Sequence, residues 1–314
     1  MYNPAATTHI IVDGGGFSFR RSEKYLLGRR PRQDFLSRVG ILGAGKMGAA
    51  IGKGLLKSGL VDRLVATDIV SDRLDAMKKM GIQVASNLEA TRQSHTLIIS
   101  VKPSQMDSLL DEVGPAIRDD HLVISIVAGI DTQYLETRLN TKHLMRAMPN
   151  INASVSQAIT AISKGPQAGS ADLGVAMALF DCVGTTVVVD EPLLDAVTGL
   201  SASGPAFIFT IIDALADAGV SEGMTYDLAY QLSIHMTLGA AKMLIETGMN
   251  PSELKRLVTT PGGTTIAGLR EMELGGMRGI MIKAVEAATR RSREISSEVR
   301  ESLARSQLKV KPKR

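Results

Sequence analysis

Two stretches of this chain combine residue types and spacings that can hold ligands. The first is Gly43-Ala44-Gly45-Lys46-Met47-Gly48, a G-x-G-x-x-G spacing. At that spacing the first glycine permits a tight turn, the second lets a pyrophosphate reach the backbone, and the third lets a helix pack close to a strand. The second is Thr259-Thr260-Pro261-Gly262-Gly263-Thr264-Thr265. Two glycines and four hydroxyls at a helix start can hold a small carboxylate through free amides, and a hydroxyl can bond a neighbouring polar atom. Each stretch also has a plainer reading, as a glycine-rich strand–helix turn and as a helix–helix connection. Residue types alone leave both open.

The elements that must position these residues follow from periodicity. Val39, Ile41 and Leu42 form an apolar run suited to a buried parallel strand, and a helical pattern covers Ala49 to Leu56. Strand and helix then alternate. Strands are predicted at Leu64–Thr67, Thr96–Val101, His121–Val127, His143–Ala147, Ala158–Ser163 and Thr185–Val189. Helices are predicted at Ser71–Met80, from Ser104, from Asp131 and at Ala168–Asp181. Ser71 should cap the first of these and Gly81 should close it. The pattern predicts an α/β fold, a Rossmann-like doubly wound parallel sheet. Ligands in such sheets lie beyond the carboxyl ends of the strands, which nominates Asp68, Val101-Lys102-Pro103 and Ala128-Gly129.

Asp68 stands twenty positions after Gly48, where a carboxylate accepts from a ribose 2′-OH and favours NADH over NADPH. It could equally cap the next helix, and Arg73 and Lys78 lie close enough to serve a phosphate. Lys102, after an apolar strand and before Pro103, reads as a cation near cofactor or substrate, or as a surface lysine. After Pro192 the pattern becomes purely helical. Leu228, Gln231, Leu232, His235, Met236, Gly239, Ala240, Met243 and Leu244 form one stripe at helical spacing, with His235 read as a core histidine. So apolar a face in an all-α domain predicts burial against a partner subunit. Asn250, Pro251 and Glu253 spell an N-cap, a first-turn proline and a capping box.

Composition narrows the class. The 314 residues are 44% hydrophobic and 22% charged, an ordinary balance for a soluble chain long enough for two domains. Aromatics are 4% and Trp is absent, so no base-stacking platform for nucleic acid is expected. The net charge of +4 comes from the ends. Residues 1 to 38 carry seven basic and three acidic residues, and Arg305, Lys309, Lys311, Lys313 and Arg314 close the chain without an acid. Cys182 is the only cysteine and the five histidines are scattered, so no disulfide or metal site is expected. No apolar run reaches the roughly 18 residues of a membrane span. The Arg-rich start lacks a signal-peptide core, and Asp13, Glu23 and Asp34 weigh against a transit peptide, leaving the cytoplasm as the default. The expected division is a poorly ordered extension over 1–37, a dinucleotide-binding domain over 38–190, an all-α substrate and dimerisation domain over 191–303, and a basic tail over 304–314.

The stretch from Leu254 and Val258 through Glu273, with Thr259-Thr260-Pro261-Gly262-Gly263-Thr264-Thr265 at its centre, closely resembles the signature of pyrroline-5-carboxylate reductases. Thr198 to Phe207, Val101 to Pro103, Val127 to Gly129 and Arg146 to Asn150 resemble that family too, so the likeness runs from about Arg38 to about Leu303. The resemblance implies reduction of L-1-pyrroline-5-carboxylate to L-proline with NADPH or NADH, the last step of proline synthesis. It implies a Rossmann domain and a helical domain that forms homodimers, often stacked into larger rings such as decamers. It places the cofactor on Gly43 to Gly48, Asp68, Asn87, Val101, Lys102 and Ala128. It places the substrate on Glu191, Thr264 and Thr265, with the Gly262 and Gly263 amides on its carboxylate. Thr260 and the Ser201–Pro205 segment, with Ser203, line the same pocket. Thr265 is expected to hydrogen-bond the ring nitrogen, and Lys102 is a second candidate for the proton. Three positions depart from the family pattern. Ile151-Asn152 stands where Thr-Pro is common, Leu257 where some members have Asn, and Asp68 where NADPH-preferring members have a small hydroxyl residue.

Other classes make different demands. A hydroxy-acid dehydrogenase would need a catalytic lysine such as Lys242 or Lys255, and would leave the Gly-Gly-Thr-Thr loop unexplained. A non-catalytic dinucleotide sensor would not need every proposed contact type, and all are present. The reductase reading requires that the two glycine-lined helix openings, one per domain, serve one cleft.

Overall fold

Short β-branched and apolar runs become strands wherever helices can cover both of their faces. The computed structural model describes residues 8–13, 16–21 and 33–310, with side chains over 34–302. In chain order the elements of the sheet unit begin β1 (Thr8–Asp13), β2 (Gly16–Arg21), α1 (Gln33–Ser37), β3 (Arg38–Leu42), α2 (Lys46–Ser58), β4 (Arg63–Thr67) and α3 (Ser71–Lys79). They continue β5 (Gln83–Val84), α4 (Asn87–Gln93), β6 (Thr96–Ile99), α5 (Met106–Val113), β7 (Leu122–Ser125), α6 (Thr132–Arg138) and β8 (Leu144–Met148). They end with β9 (Ala158–Lys164), α7 (Ser170–Asp181), β10 (Gly184–Val188) and α8 (Leu194–Val197).

The strands form one sheet in the order β2-β1-β10-β9-β8-β7-β6-β3-β4-β5. From β5 to β8 all neighbours are parallel, and β6, β7 and β8 are buried along their whole length. Ile41, Ile98, Ile124 and Met145 form the floor of one apolar layer; Leu42, Leu97, Ile99 and Val123 form the other. Two layers of fully buried aliphatic side chains are the principal stabilising term for this unit.

The all-parallel expectation fails at β9. Residues 149 to 157 hold only a 3-10 turn, Ile151–Val155, so no helix carries the chain back across the sheet. Strand β9 therefore returns antiparallel to β8, with Arg146 opposite Ser163. Strand β10 follows α7 and is parallel to β9.

Two further corrections concern the ends. The segment 1–37 is not uniformly without structure. Its described parts form a β1–β2 antiparallel hairpin whose first strand extends the sheet beside β10, and α1 buries Phe35 and Leu36. Ile10-Ile11-Val12 is a β-branched run that signals a strand, masked in sequence by the loop-forming Gly14-Gly15-Gly16 beside it. The other residues of that segment, and 311–314, lie outside the described ones. At the opposite end, helix continues through Val310.

The chain divides into a sheet unit, residues 1–202 with 289–314, and a helical unit, Ser203–Ala288. The compact units part at Ala202/Ser203, and the last helix begins in one unit and ends in the other. Three contacts show why its second half belongs with the sheet. A Cβ on Gly199 would lie 2.7 Å from the Thr289 nitrogen, and the Ser292 and Ser296 hydroxyls donate to Asp195 Oδ1 at 2.7 and 3.1 Å.

The helical unit contains α9 (Gly204–Ser221), α10 (Tyr226–Thr247), α11 (Pro251–Leu257), α12 (Thr264–Leu274) and the first turns of α13 (Met277–Val310). Helices α9 and α10 pair closely, because Gly219 lets the Ala229 methyl approach. The Asn250 capping box forms as predicted, with Glu253 Oε2 accepting from the Asn250 amide and Asn250 Oδ1 from Ser252. Much of the predicted α10 stripe is solvent-exposed in the single chain, including Leu232, His235 and Met236. His235 is thus not a core histidine of the isolated chain. The continuous helical stretch Glu191–Ser221 also has the length and mean hydropathy, 1.4, of a membrane-crossing segment, where the sequence reading expects none.

Candidate active site

The glycine turn between β3 and α2 has the geometry its spacing predicts. Gly43 has φ +107°, a conformation that side-chain-bearing residues rarely adopt. A Cβ on Gly48 would lie 2.0 Å from the Gly43 carbonyl oxygen, so strand end and helix touch through their backbones. Gly45 differs: nothing stands within 4 Å of where its Cβ would be. It is the N-cap of α2, and no side chain caps that helix. The space beside it is a cavity of about 650 Å³, within the range of small-molecule sites. Uncapped amides, an open glycine and a helix dipole together fit the pyrophosphate of a dinucleotide.

Lys46, Met47, Val101 and Lys102 line this cavity with Gly43 and Gly45. So do Asp68 and Asn87 from the β4 side, and Ser100, Ile126 and Pro149 from the ends of β6, β7 and β8. The cavity therefore opens beyond the carboxyl ends of β3, β4, β6, β7 and β8. Ala44 gives its amide to Asp68, and Pro103 opens a 3-10 turn behind Lys102. Ala128 packs in a small cluster with Met148, Ala161 and Leu194, and Gly129 lines a separate cleft. Neither reaches the cavity wall.

Asp68 is more occupied than the sequence suggests. Its Oδ2 accepts from the Ala44 amide at 2.9 Å and its Oδ1 from the Val70 amide at 2.9 Å. Arg73 pairs with the same carboxylate at 3.3 Å, and only 5% of the Asp68 side chain is exposed. Val70, not Ser71, is the N-cap of α3 and no side chain caps it directly, so that capping expectation is corrected. Asn87 is fixed from both sides, its Oδ1 accepting from Thr67 and its Nδ2 donating to Glu112. The Lys102 amine is exposed and pairs with no carboxylate among the described residues.

Glu191 stands elsewhere in the sheet unit. Its carboxylate accepts from the Thr132 amide at 2.8 Å, from the Thr132 hydroxyl, and from Arg146 Nη1 at 3.2 Å. Arg146 comes from the middle of buried strand β8 and sequence reasoning gave it no role. The signal was present, since an arginine inside Leu144-Met145-Arg146-Ala147-Met148 must find a partner when buried.

The hydroxyl loop belongs to the helical unit. Gly262 has φ +68°, and Gly263 caps α12 with its own amide bonded to the Thr260 carbonyl at 3.1 Å. A Cβ on Gly263 would strike the Thr260 hydroxyl at 2.3 Å. The first intrahelical bond of α12 is Ala267 to Gly263, which leaves the Thr264, Thr265 and Ile266 amides without intrahelical partners. Ser203 begins α9, accepting from the Ala206 amide.

Comparison with known proteins bears on both units. Residues 38–129, which include the glycine turn, match the family "NADP oxidoreductase coenzyme F420-dependent". Residues 191–295, which include the hydroxyl loop, match "Pyrroline-5-carboxylate reductase dimerisation". A pyrroline-5-carboxylate reductase of Methanosarcina acetivorans is 45% identical over 263 residues, 82% of this chain and 97% of the relative. The chain belongs to the pyrroline-5-carboxylate reductase family.

Other members lie at similar distance. The pea enzyme, from Pisum sativum, is 41% identical over 82% of this chain and 96% of its own length. The solved pyrroline-5-carboxylate reductase of Coxiella burnetii superposes with TM-score 0.77 at 30% identity, covering 82% of this chain and 98% of that one. The Plasmodium falciparum pyrroline carboxylate reductase, solved with NADP bound, gives TM-score 0.75 at 25% identity, covering 83% and 99%. The family's Rossmann-like sheet and helical dimerisation region are thus both present in this chain.

Proposed function

We infer that the protein reduces L-1-pyrroline-5-carboxylate to L-proline with NAD(P)H, the last step of proline biosynthesis. The observation that carries this reading is the pairing, in one chain, of the open glycine turn within residues 38–129 and the uncapped hydroxyl loop within residues 191–295. The nicotinamide cofactor supplies a hydride to the imine carbon when it is bound. The chain's own residues do the positioning. Gly45 and the amides that open α2 hold the pyrophosphate. The Thr264, Thr265 and Ile266 amides at the start of α12, with Gly262 beside them, hold the substrate carboxylate; the expected Gly263 amide is engaged by the Thr260 carbonyl instead. Thr265 hydrogen-bonds the ring nitrogen; Glu191, held by Thr132 and Arg146 in a separate cleft, is given no part in substrate binding. Lys102, whose amine has no ion pair among the described residues, is one ionisable group at the cavity that can pass a proton through water.

The carboxylate of Asp68 sets the cofactor preference in this reading. A 2′-phosphate would have to draw Arg73 away from Asp68 and then sit beside a carboxylate, whereas a ribose 2′-OH needs neither change. NADH is therefore the favoured donor. The helical unit forms a homodimer through its exposed apolar face, and dimers stack into larger rings. The enzyme works in the cytoplasm, away from nucleic acid and membranes.

The test is steady-state oxidation of NADH and of NADPH with pyrroline-5-carboxylate, beside the reverse reaction with a 3-hydroxy acid. Turnover on the imine with none on the hydroxy acid supports the reading. Turnover on the hydroxy acid alone, or on neither, removes it.

A further inference from the structure

A second cleft of about 500 Å³ lies in the sheet unit and shares no lining residue with the dinucleotide cavity. Three carboxylates and three guanidiniums line it: Asp131, Glu191 and Asp195, with Arg146, Arg293 and Arg300. Most of the acceptors are already engaged. Glu191 takes the Thr132 amide, the Thr132 hydroxyl and Arg146. Asp131 takes the Tyr134 amide at 2.8 Å and Arg300 at 3.5 Å. Asp195 Oδ1 takes two serine hydroxyls.

The donors are not engaged to the same degree. Arg146 is buried to all but 9% of its side chain, and its one hydrogen bond runs from Nη1 to Glu191. Its other nitrogens are not among the buried atoms that lack partners, so they are open to the cleft that Arg146 lines. Arg293 has no ion pair or hydrogen bond among the described residues. A buried guanidinium with unused N–H groups calls for an acceptor, and the planar fork suits a carboxylate. Asp195 Oδ2 is the complementary vacancy, an acceptor with no donor among the described residues. Pro192 and Leu194 give the cleft an apolar side that suits ring or chain methylenes.

We propose that this cleft binds the zwitterion of a small α-amino or imino acid, its carboxylate on Arg146 and its protonated nitrogen on Asp195. The residues themselves specify that class; the choice of L-proline as the probe rests on the reductase reading. The reaction's own imino acid has its carboxylate on the α12 amides under the reductase reading, so the occupant of this cleft is a separate effector of the same chemical class.

The test is calorimetric titration of the full chain with L-proline, with pyrrolidine and cyclopentanecarboxylate as half-ligands. The proposal expects L-proline to bind more tightly than either half-ligand. It expects Arg146→Gln and Asp195→Asn each to weaken L-proline by about tenfold or more while the NADH dissociation constant is unchanged. Because Arg146→Gln also frees Glu191, Arg293→Gln is the second variant; it leaves that network intact and should weaken L-proline by a smaller factor. Thr265→Val sets aside binding at the reaction's own site. L-proline binding that is retained in it supports the effector cleft, and binding lost in it overturns the proposal. L-proline that does not bind, or that binds both Arg146→Gln and Asp195→Asn as it binds the parent, overturns the proposal. Those results leave turnover of the imine by the parent enzyme as a separate question.

Discussion

Asp68 Oδ2 accepts the Ala44 amide at 2.9 Å, so the residue that ends β4 also braces the glycine turn that ends β3. The carboxylate holds the turn and, under the proposed function, also faces the ribose. A preference for NADH by about tenfold or more in kcat/KM, roughly 1.4 kcal/mol, is expected. Asp68→Ser should narrow or reverse that ratio, because it removes the charge and frees Arg73 for a phosphate. Equal kcat/KM for both cofactors in the parent enzyme would show that Arg73 moves at no cost.

The two flanking glycines make opposite demands. Gly48→Ala drives a methyl into the Gly43 carbonyl and should lower stability by about 1–3 kcal/mol, read as a drop in melting temperature. Gly45→Ala meets open space, so stability should hold. Its methyl instead occupies the phosphate's approach, and NADH affinity should fall by about tenfold or more.

Thr265→Ala should lower turnover by roughly ten- to a hundredfold, the scale of one hydrogen bond to a charged group, while leaving NADH affinity within about twofold. Steady-state kinetics and NADH titration check the two halves separately. Unchanged turnover would take Thr265 out of the mechanism.

A buried histidine and a half-buried aspartate give opposite pH slopes to stability. His121 accepts the Arg118 amide at Nδ1, and its Nε2 lies 3.1 Å from the Ser94 carbonyl. Burial depresses its pKa from 6.5 to about 4. Between those values the unfolded chain binds the extra proton, so stability falls as pH drops from 6.5 toward 4, by roughly 2–3 kcal/mol. Asp181 runs the other way, since burial raises its pKa from 3.8 to about 6. Its contribution is fullest below pH 3.8 and is lost as pH rises through 6. Asp181→Asn should therefore stabilise the protein at pH 7 by about 2 kcal/mol and have little effect at pH 4. Denaturant midpoints across pH 4–7 for His121→Gln and Asp181→Asn isolate the two slopes.

How far the sequence reaches is clearest residue by residue. The turn at Gly43, the strands around it and the Asn250 capping box are local, and spacing alone predicts them. The direction of β9 depends on the missing crossover helix after Pro149, a feature read only by asking how the chain returns. The return of α13 to the sheet depends on Gly199 meeting Thr289, ninety positions away, and no local pattern encodes that. At the site, Asp68 was legible as a carboxylate at a strand end, but its bonds to Ala44 and Arg73 were not. Arg146 was hidden for the opposite reason, as one charged residue in a run whose apolar neighbours predict a strand.

The central claim is that two helix openings, at Gly45 and at Gly263, serve one hydride transfer to an imine. The most direct measurement uses NADH deuterated at the transferred nicotinamide C4 position, with pyrroline-5-carboxylate as acceptor and mass spectrometry of the product. The account predicts L-proline carrying one deuterium at C5, with formation suppressed in both Gly45→Ala and Thr265→Ala. Proline free of deuterium, or no proline at all from the parent enzyme, would contradict it.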